Sequence, residues 1–201
     1  MIVSVDRRNR RSVADPRPVR ADAQRNLLTL LQAAKEVFAE AGTEAPVRVI
    51  AERAGVGVGT VYRHFPTRAD LVAAVFAREI DTCADDADRI AAEHTAFEAL
   101  RLWVGVFVTL ASIKRGLARA LQSGDPAFDV IPAKREQRLF PAFRKLFEAA
   151  VSAGEIHTDV SPDDVLNAVA TLCMTARPDQ TDRALNLVML LVDGLRCRAD
   201  R

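Results

Sequence analysis

The stretch AGVGVGTVYRHF, Ala54 to Phe65, constrains this chain more than any other part of it. Gly55, Gly57 and Gly59 fall on alternate positions, Pro66 follows at once, and the residues before Gly55 keep the three-and-four spacing of an amphipathic helix. The chain therefore turns at Gly55 and has room for one short helix, Val58 to about Phe65, before Pro66 bars its continuation. Two short helices around a tight glycine turn make a helix-turn-helix.

The flanks supply the rest of that unit. From Asp22, the residues Leu27, Leu30, Leu31, Ala34, Val37, Phe38 and Ala41 form an apolar stripe, and Gly42 stands where a helix end wants a left-handed residue. Pro46 fits the first turn of a second helix, Val47–Ala54, that turns Ile50, Ala51 and Ala54 inward and Arg48, Glu52 and Arg53 outward. Thr67 is placed to cap a long fourth helix from Arg68, with Asp70 in its positive first turn.

Everything further along also reads as helix. Thr95 and Glu98 form a capping-box pair before a stripe of Leu100, Trp103, Val104, Phe107 and Ala111. Leu139 to Val151 is a second stripe, stopped by Gly154; Ser161, Pro162 and Asp164 open a helix to about Ala176. A last helix, about Thr181 to Arg196, is apolar on more than one face. The expected architecture is all-α: a flexible basic arm (1–21), a helix-turn-helix DNA-binding domain (22–67), and a helical bundle (68–201) entered by one long helix.

Charge agrees with that division. The net charge is +1, but residues 1–71 carry 12 Lys and Arg against 8 Asp and Glu, and the remainder 16 against 19. An N-terminal part that meets a polyanion and a C-terminal part that does not is the simplest reading. The arm, with six arginines in residues 1–21, either lies along phosphates or is solvated.

A recognition helix needs small residues where it approaches the duplex and polar groups that reach phosphates. Gly57 and Gly59 remove bulk at that point, Thr60, Tyr62 and His64 can donate to phosphate oxygens, and Arg63 adds charge. For Tyr62 the alternative is a half-buried ring packing the third helix on the first, and for His64 a helix-end residue facing the last carbonyls.

Other classes lack their chemistry. The glycine run is preceded by helix rather than strand and followed by no G-K-[ST], which argues against a nucleotide loop. There is no nucleophile motif, no paired carboxylates beyond helix faces and helix starts such as Asp85, Asp86, Asp163 and Asp164, and no cofactor motif, so an enzyme is not expected. Cys83, Cys173 and Cys197 are far apart and the three histidines scattered, so neither a disulfide framework nor a metal site is expected. No run of about 18 uncharged apolar residues occurs, and the N-terminus has no signal-peptide core, which points to the cytoplasm.

The segment Ile50-Ala51-Glu52-Arg53-Ala54-Gly55-Val56, then Gly59-Thr60-Val61-Tyr62-Arg63-His64-Phe65, Arg68 and Leu71, resembles the DNA-binding signature of the tetracycline-repressor (TetR) family over about residues 22–72. The resemblance implies a homodimeric, usually repressing, ligand-responsive transcription factor with the third helix in the major groove. It implies phosphate contacts from Thr60, Tyr62 and His64, a groove-facing set of Gly57, Val58, Gly59 and Arg63, and a phosphate grip from Arg68. Gly57 stands where the family often has a capping Ser, and Ala45-Pro46 replaces a frequent Thr; Arg48 is a candidate to compensate.

The same resemblance implies a small-molecule effector. Its expected pocket lies between the stripes carrying Phe76, Trp103, Phe107, Phe143 and Phe147, with Cys173 an inward polar candidate. The last two helices, about 161–176 and 181–196, carry more apolar surface than one core needs and are the expected homodimer face.

Overall fold

The structure is a computed structural model that describes residues 16–116, 124–157, 159–175 and 181–196. The first helix, α1 (Pro16–Ala41), starts at Pro16 rather than Asp22; both Pro16 and Pro18 fall in its first turn, where a missing N–H costs nothing. The rest of the expected arm, residues 1–15, and Cys197 lie outside the described residues. Gly42 closes α1 at φ 77°.

The helix-turn-helix follows as α2 (Val47–Ala54) and α3 (Val58–His64). Pro46 is one step earlier than expected, at the N-cap with ψ 133°, and Gly55 makes the turn in the left-handed region at φ 67°. Thr67 and Asp70 form a reciprocal capping box at the start of α4 (Arg68–Glu93): the Asp70 amide donates to the Thr67 hydroxyl at 3.0 Å and the Thr67 amide to the Asp70 carboxylate at 2.9 Å.

Beyond α4 come α5 (Ala96–Gly116), a short 3-10 turn (Pro126–Phe128), α6 (Val130–Lys134), a π turn (Arg135–Leu139), α7 (Phe140–Ser152), α8 (Pro162–Thr175) and α9 (Thr181–Asp193). The last helix ends at Asp193, before Gly194, rather than at Arg196, which instead bridges to Ile156 as an isolated β-pair. The 126–138 run has no counterpart in the sequence reading. Its π turn has a local cause: Pro141 has no N–H to offer and its ring crowds the carbonyl four residues back, so the helix widens just before it.

Two cores hold these helices. The smaller one joins Leu30 and Val37 of α1, Ile50 of α2, Val61 of α3 and Leu71 and Val75 of α4. The larger takes Phe76, Ile80 and Cys83 of α4, Leu100 and Trp103 of α5, Phe143 of α7, Val169 of α8 and Val188 of α9. Each such fully buried side chain stabilises by roughly 1.5–3 kcal/mol. One 26-residue helix, α4, is thus built into both cores.

Ion pairs register the pieces. Arg53 makes a two-pronged contact with Glu40 at 2.7 and 2.8 Å, fixing α2 on α1, and Lys35 meets Glu79 at 2.8 Å, fixing α1 on α4. Across the bundle, Arg144 holds Asp163 at 2.8 and 2.5 Å and Arg101 holds Asp193 at 2.8 Å. Asp81 takes Lys134 and Arg138, Asp85 takes Arg138, and Asp88 takes Lys145 at 2.6 Å, so the acidic face of α4 lies along the basic face of the 130–152 run. Exposed pairs of this kind contribute little each, about 0–1 kcal/mol, and serve mainly to set orientation.

Candidate functional site

Helix α3 is held by a single apolar anchor. Val61 is 1% exposed inside the smaller core, and the remaining side chains of the helix face outward or lie at its edge. Tyr62 is 50% exposed, so half of its surface is turned to solvent. Val58, Gly59, Arg63 and His64 are exposed and Thr60 is partly so. These residues form one continuous outer face with the N-terminal end of the helix, where Gly57 is the N-cap and no side chain occupies the cap.

Arg48, in the first turn of α2, has its side chain 79% exposed and only a loose 3.7 Å approach to Glu52. Arg68 behaves differently. Its Nη1 donates to the carbonyl oxygens of Thr43 at 2.5 Å and Ala45 at 2.7 Å, so the guanidinium is partly buried and engaged in holding the α1–α2 turn. Its position at the start of α4 is as expected; its side chain ties α4 to the helix-turn-helix, which the sequence pattern could not reveal.

The bundle holds a cavity of about 70 Å³ between α4, α5, the 130–139 run and α8. Phe76 and Phe107, both expected there, line it. Trp103, Phe143, Phe147 and Cys173 do not; they are buried in the larger core beside it. Trp103 stacks on Phe107 at 5.8 Å and tilts against Phe143 at 5.9 Å, Phe143 lies 5.9 Å from Phe147, and the indole Nε1 donates to the Cys83 carbonyl at 2.7 Å. Sequence reasoning missed Ile131 and Arg135, which line the cavity from the segment it did not assign, and placed Leu139 in a stripe without assigning it to the cavity.

Two further polar side chains of the bundle are engaged away from the cavity. Arg101 pairs with Asp193, and His94 Nδ1 lies 3.5 Å from Glu98, a carboxylate one turn along. No group of three or more metal-ligating side chains occurs among the described residues. Nor, among them, is any helix long and apolar enough to cross a membrane.

An outward-facing second helix in a helix-turn-helix, fixed to a long helix behind it, is the layout of a DNA-binding protein. Comparison with known proteins agrees. Residues 30–75 match the bacterial regulatory proteins of the tetR family, and residues 95–197 match the C-terminal domain of SbtR-like transcriptional regulators. The fold superposes on the crystal structure of a TetR transcriptional regulator from Streptomyces coelicolor with a TM-score of 0.73 and 39% identity, over 85% of this chain and 98% of that one. A TetR regulatory protein from Mycobacterium vanbaalenii gives a TM-score of 0.71 and 34% identity over 90% and 100%. An HTH-type transcriptional regulator of Staphylococcus aureus is 26% identical over 155 residues, 76% of this chain and 82% of its own. The chain is a DNA-binding transcriptional regulator of the TetR family, not an enzyme.

Proposed function

We propose that this regulator is a repressor, acting in the cytoplasm, that binds a palindromic operator as a homodimer and is released by a small molecule. The observation that carries the reading is α4. It is capped at Thr67, three residues after α3 ends, and runs without a break into the cavity wall at Phe76 and Ile80. A ligand that spreads the cavity tilts α4, and Arg68 passes the tilt to the α1–α2 turn. Release then follows from a ligand's higher affinity for the tilted state.

Thr60, Tyr62 and His64 hold phosphates in this reading, Gly57, Val58, Gly59 and Arg63 face the major groove, and Arg48 adds a backbone contact from α2. The dimer forms through α8 and α9, where Met174, Leu187 and Leu190 are exposed, Leu190 by 72%. Packing these helices on their copies gives a two-fold four-helix interface and lets two α3 helices reach grooves about 34–36 Å apart.

The test is selection of bound sequences from a random DNA pool by the purified protein. A two-fold-symmetric winner whose affinity falls steeply with salt is expected; absence of enrichment in protein free of small molecules ends the proposal. Sedimentation of a concentration-independent monomer ends its dimeric part.

A further inference from the structure

We propose that the effector is a small apolar acid, and that Arg135 is the group that meets its carboxylate. The proposal rests on reading the cavity as the effector site. The described walls are apolar except for one side chain: Phe76, Ile80, Phe107, Ile131, Leu139 and Met174 enclose it, and Arg135 stands among them. An apolar pocket with a single convergent cation selects a ligand that is apolar along its body and anionic at one end. A neutral ligand would make no use of that guanidinium, and a cationic one would meet like charge.

The placement of Arg135 follows from the π turn. In an α-helix four residues overshoot a full turn; in the wider turn that closes i to i+5 bonds, four residues fall short of one. The overshoot from Ile131 to Arg135 is therefore taken back between Arg135 and Leu139, and all three line the cavity. The neighbouring Lys134 and Arg138 turn instead to α4, where Asp81 and Asp85 neutralise them. Arg135, its side chain 50% exposed at the cavity mouth, pairs through Nη2 with the exposed carboxylate of its neighbour Glu136 at 2.9 Å and lies 5.4 Å over the Phe140 ring. That hydrogen bond uses one of the five N–H groups of a guanidinium, and the planar fork suits a carboxylate.

Size narrows the class. About 70 Å³ is well below the roughly 150 Å³ that holds benzene in an engineered cavity. Met174, unbranched and 42% exposed, is the wall residue able to move aside. The cavity as it stands suits a short chain, a single ring needs Met174 to move aside, and a polycycle does not fit.

The experiment is calorimetric titration of the full chain with hexanoate and benzoate, and with 1-hexanol and benzyl alcohol as uncharged counterparts. Arg135→Gln and two separate cavity-filling variants, Ala170→Phe and Ala111→Leu, are titrated alongside, each checked for native helicity. The acids should bind, weaken about tenfold or more in Arg135→Gln, and be lost in a folded cavity-filled variant, while the alcohols ignore Arg135→Gln. Alcohols binding as well as acids, with Arg135→Gln changing neither, would overturn the anion assignment and leave the cavity reading standing. Binding of no probe, or binding that survives both fillings, would overturn both.

Discussion

Arg68, the first residue of α4, donates to the carbonyl oxygen of Ala45, two residues before α2, at 2.7 Å. The bond to Thr43 reinforces it. A residue that could have served only as a phosphate grip is thereby a joint between the helix that reaches the cavity and the turn that carries the helix-turn-helix. Under the proposed function its removal should act on both folding and DNA binding, whereas removal of the Tyr62 hydroxyl should act on binding alone.

Arg68→Ala should accordingly lower stability by roughly 1–3 kcal/mol, the loss of charge-assisted bonds to partly buried carbonyls. Tyr62→Phe removes one hydroxyl from a half-exposed ring and should leave the unfolding midpoint within about 0.5 kcal/mol while weakening operator binding. Denaturant titration and DNA affinity on both variants check this. Equal stability of Arg68→Ala and the parent would show that the joint carries no load.

Burial should silence Cys83. The thiol is surrounded by the larger core, and that burial, with smaller contributions from the carboxylates of Asp86 and Glu79, pushes its pKa up to about 12. A thiolate is the reactive form, so alkylation by iodoacetamide at pH 8 should leave Cys83 unmodified in the native protein and modify it after denaturation. Peptide mass mapping reads this directly, and rapid native labelling would mean that α4 and α5 separate far more often than their packing implies.

Acid should loosen two joints. Arg53, bonded to Glu40, holds that carboxyl below its ordinary value, and Arg144 does the same to Asp163. Groups with folded pKa values depressed below the unfolded ones contribute stability that is present above the ordinary carboxylate range and lost as pH falls through the folded values. Both pairs are solvent-exposed, so the effect is small, but its sign is fixed. The double variant Glu40→Gln with Asp163→Asn should show a shallower fall in stability below about pH 5 than the parent in pH-dependent unfolding.

Much of this was legible where a residue has one local job. Pro46 and Gly55 bracket α2, and Thr67 with Asp70 starts α4, because caps and turns act through backbone bonds a few residues away. Stripe membership was less informative. Phe107 and Trp103 share a stripe on α5, yet one lines the cavity and the other fills the core, a choice made by what packs opposite. Arg135 was hidden for another reason: Pro132 and Pro141 interrupt the helical pattern, and only the π turn restores one face across them. Arg68 has partners 23 and 25 residues back, a distance no local pattern encodes.

Gly59 offers the sharpest separation of folding from function. It sits inside α3, exposed, and a Cβ built on it meets nothing within 4 Å. In the free protein Gly59→Ala should therefore stabilise by roughly 0.5–1 kcal/mol, since alanine loses less backbone freedom in a helix than glycine. If this face approaches the duplex closely, the same methyl group occupies space the DNA needs, and affinity should fall. Opposite signs in the two measurements, a raised Tm and a weakened operator complex, are the expected result. A raised Tm with unchanged affinity would mean that the duplex does not approach α3 closely at Gly59. A lowered Tm would mean that the free α3 is not the helix described, because no neighbour stands close enough to clash with the added methyl.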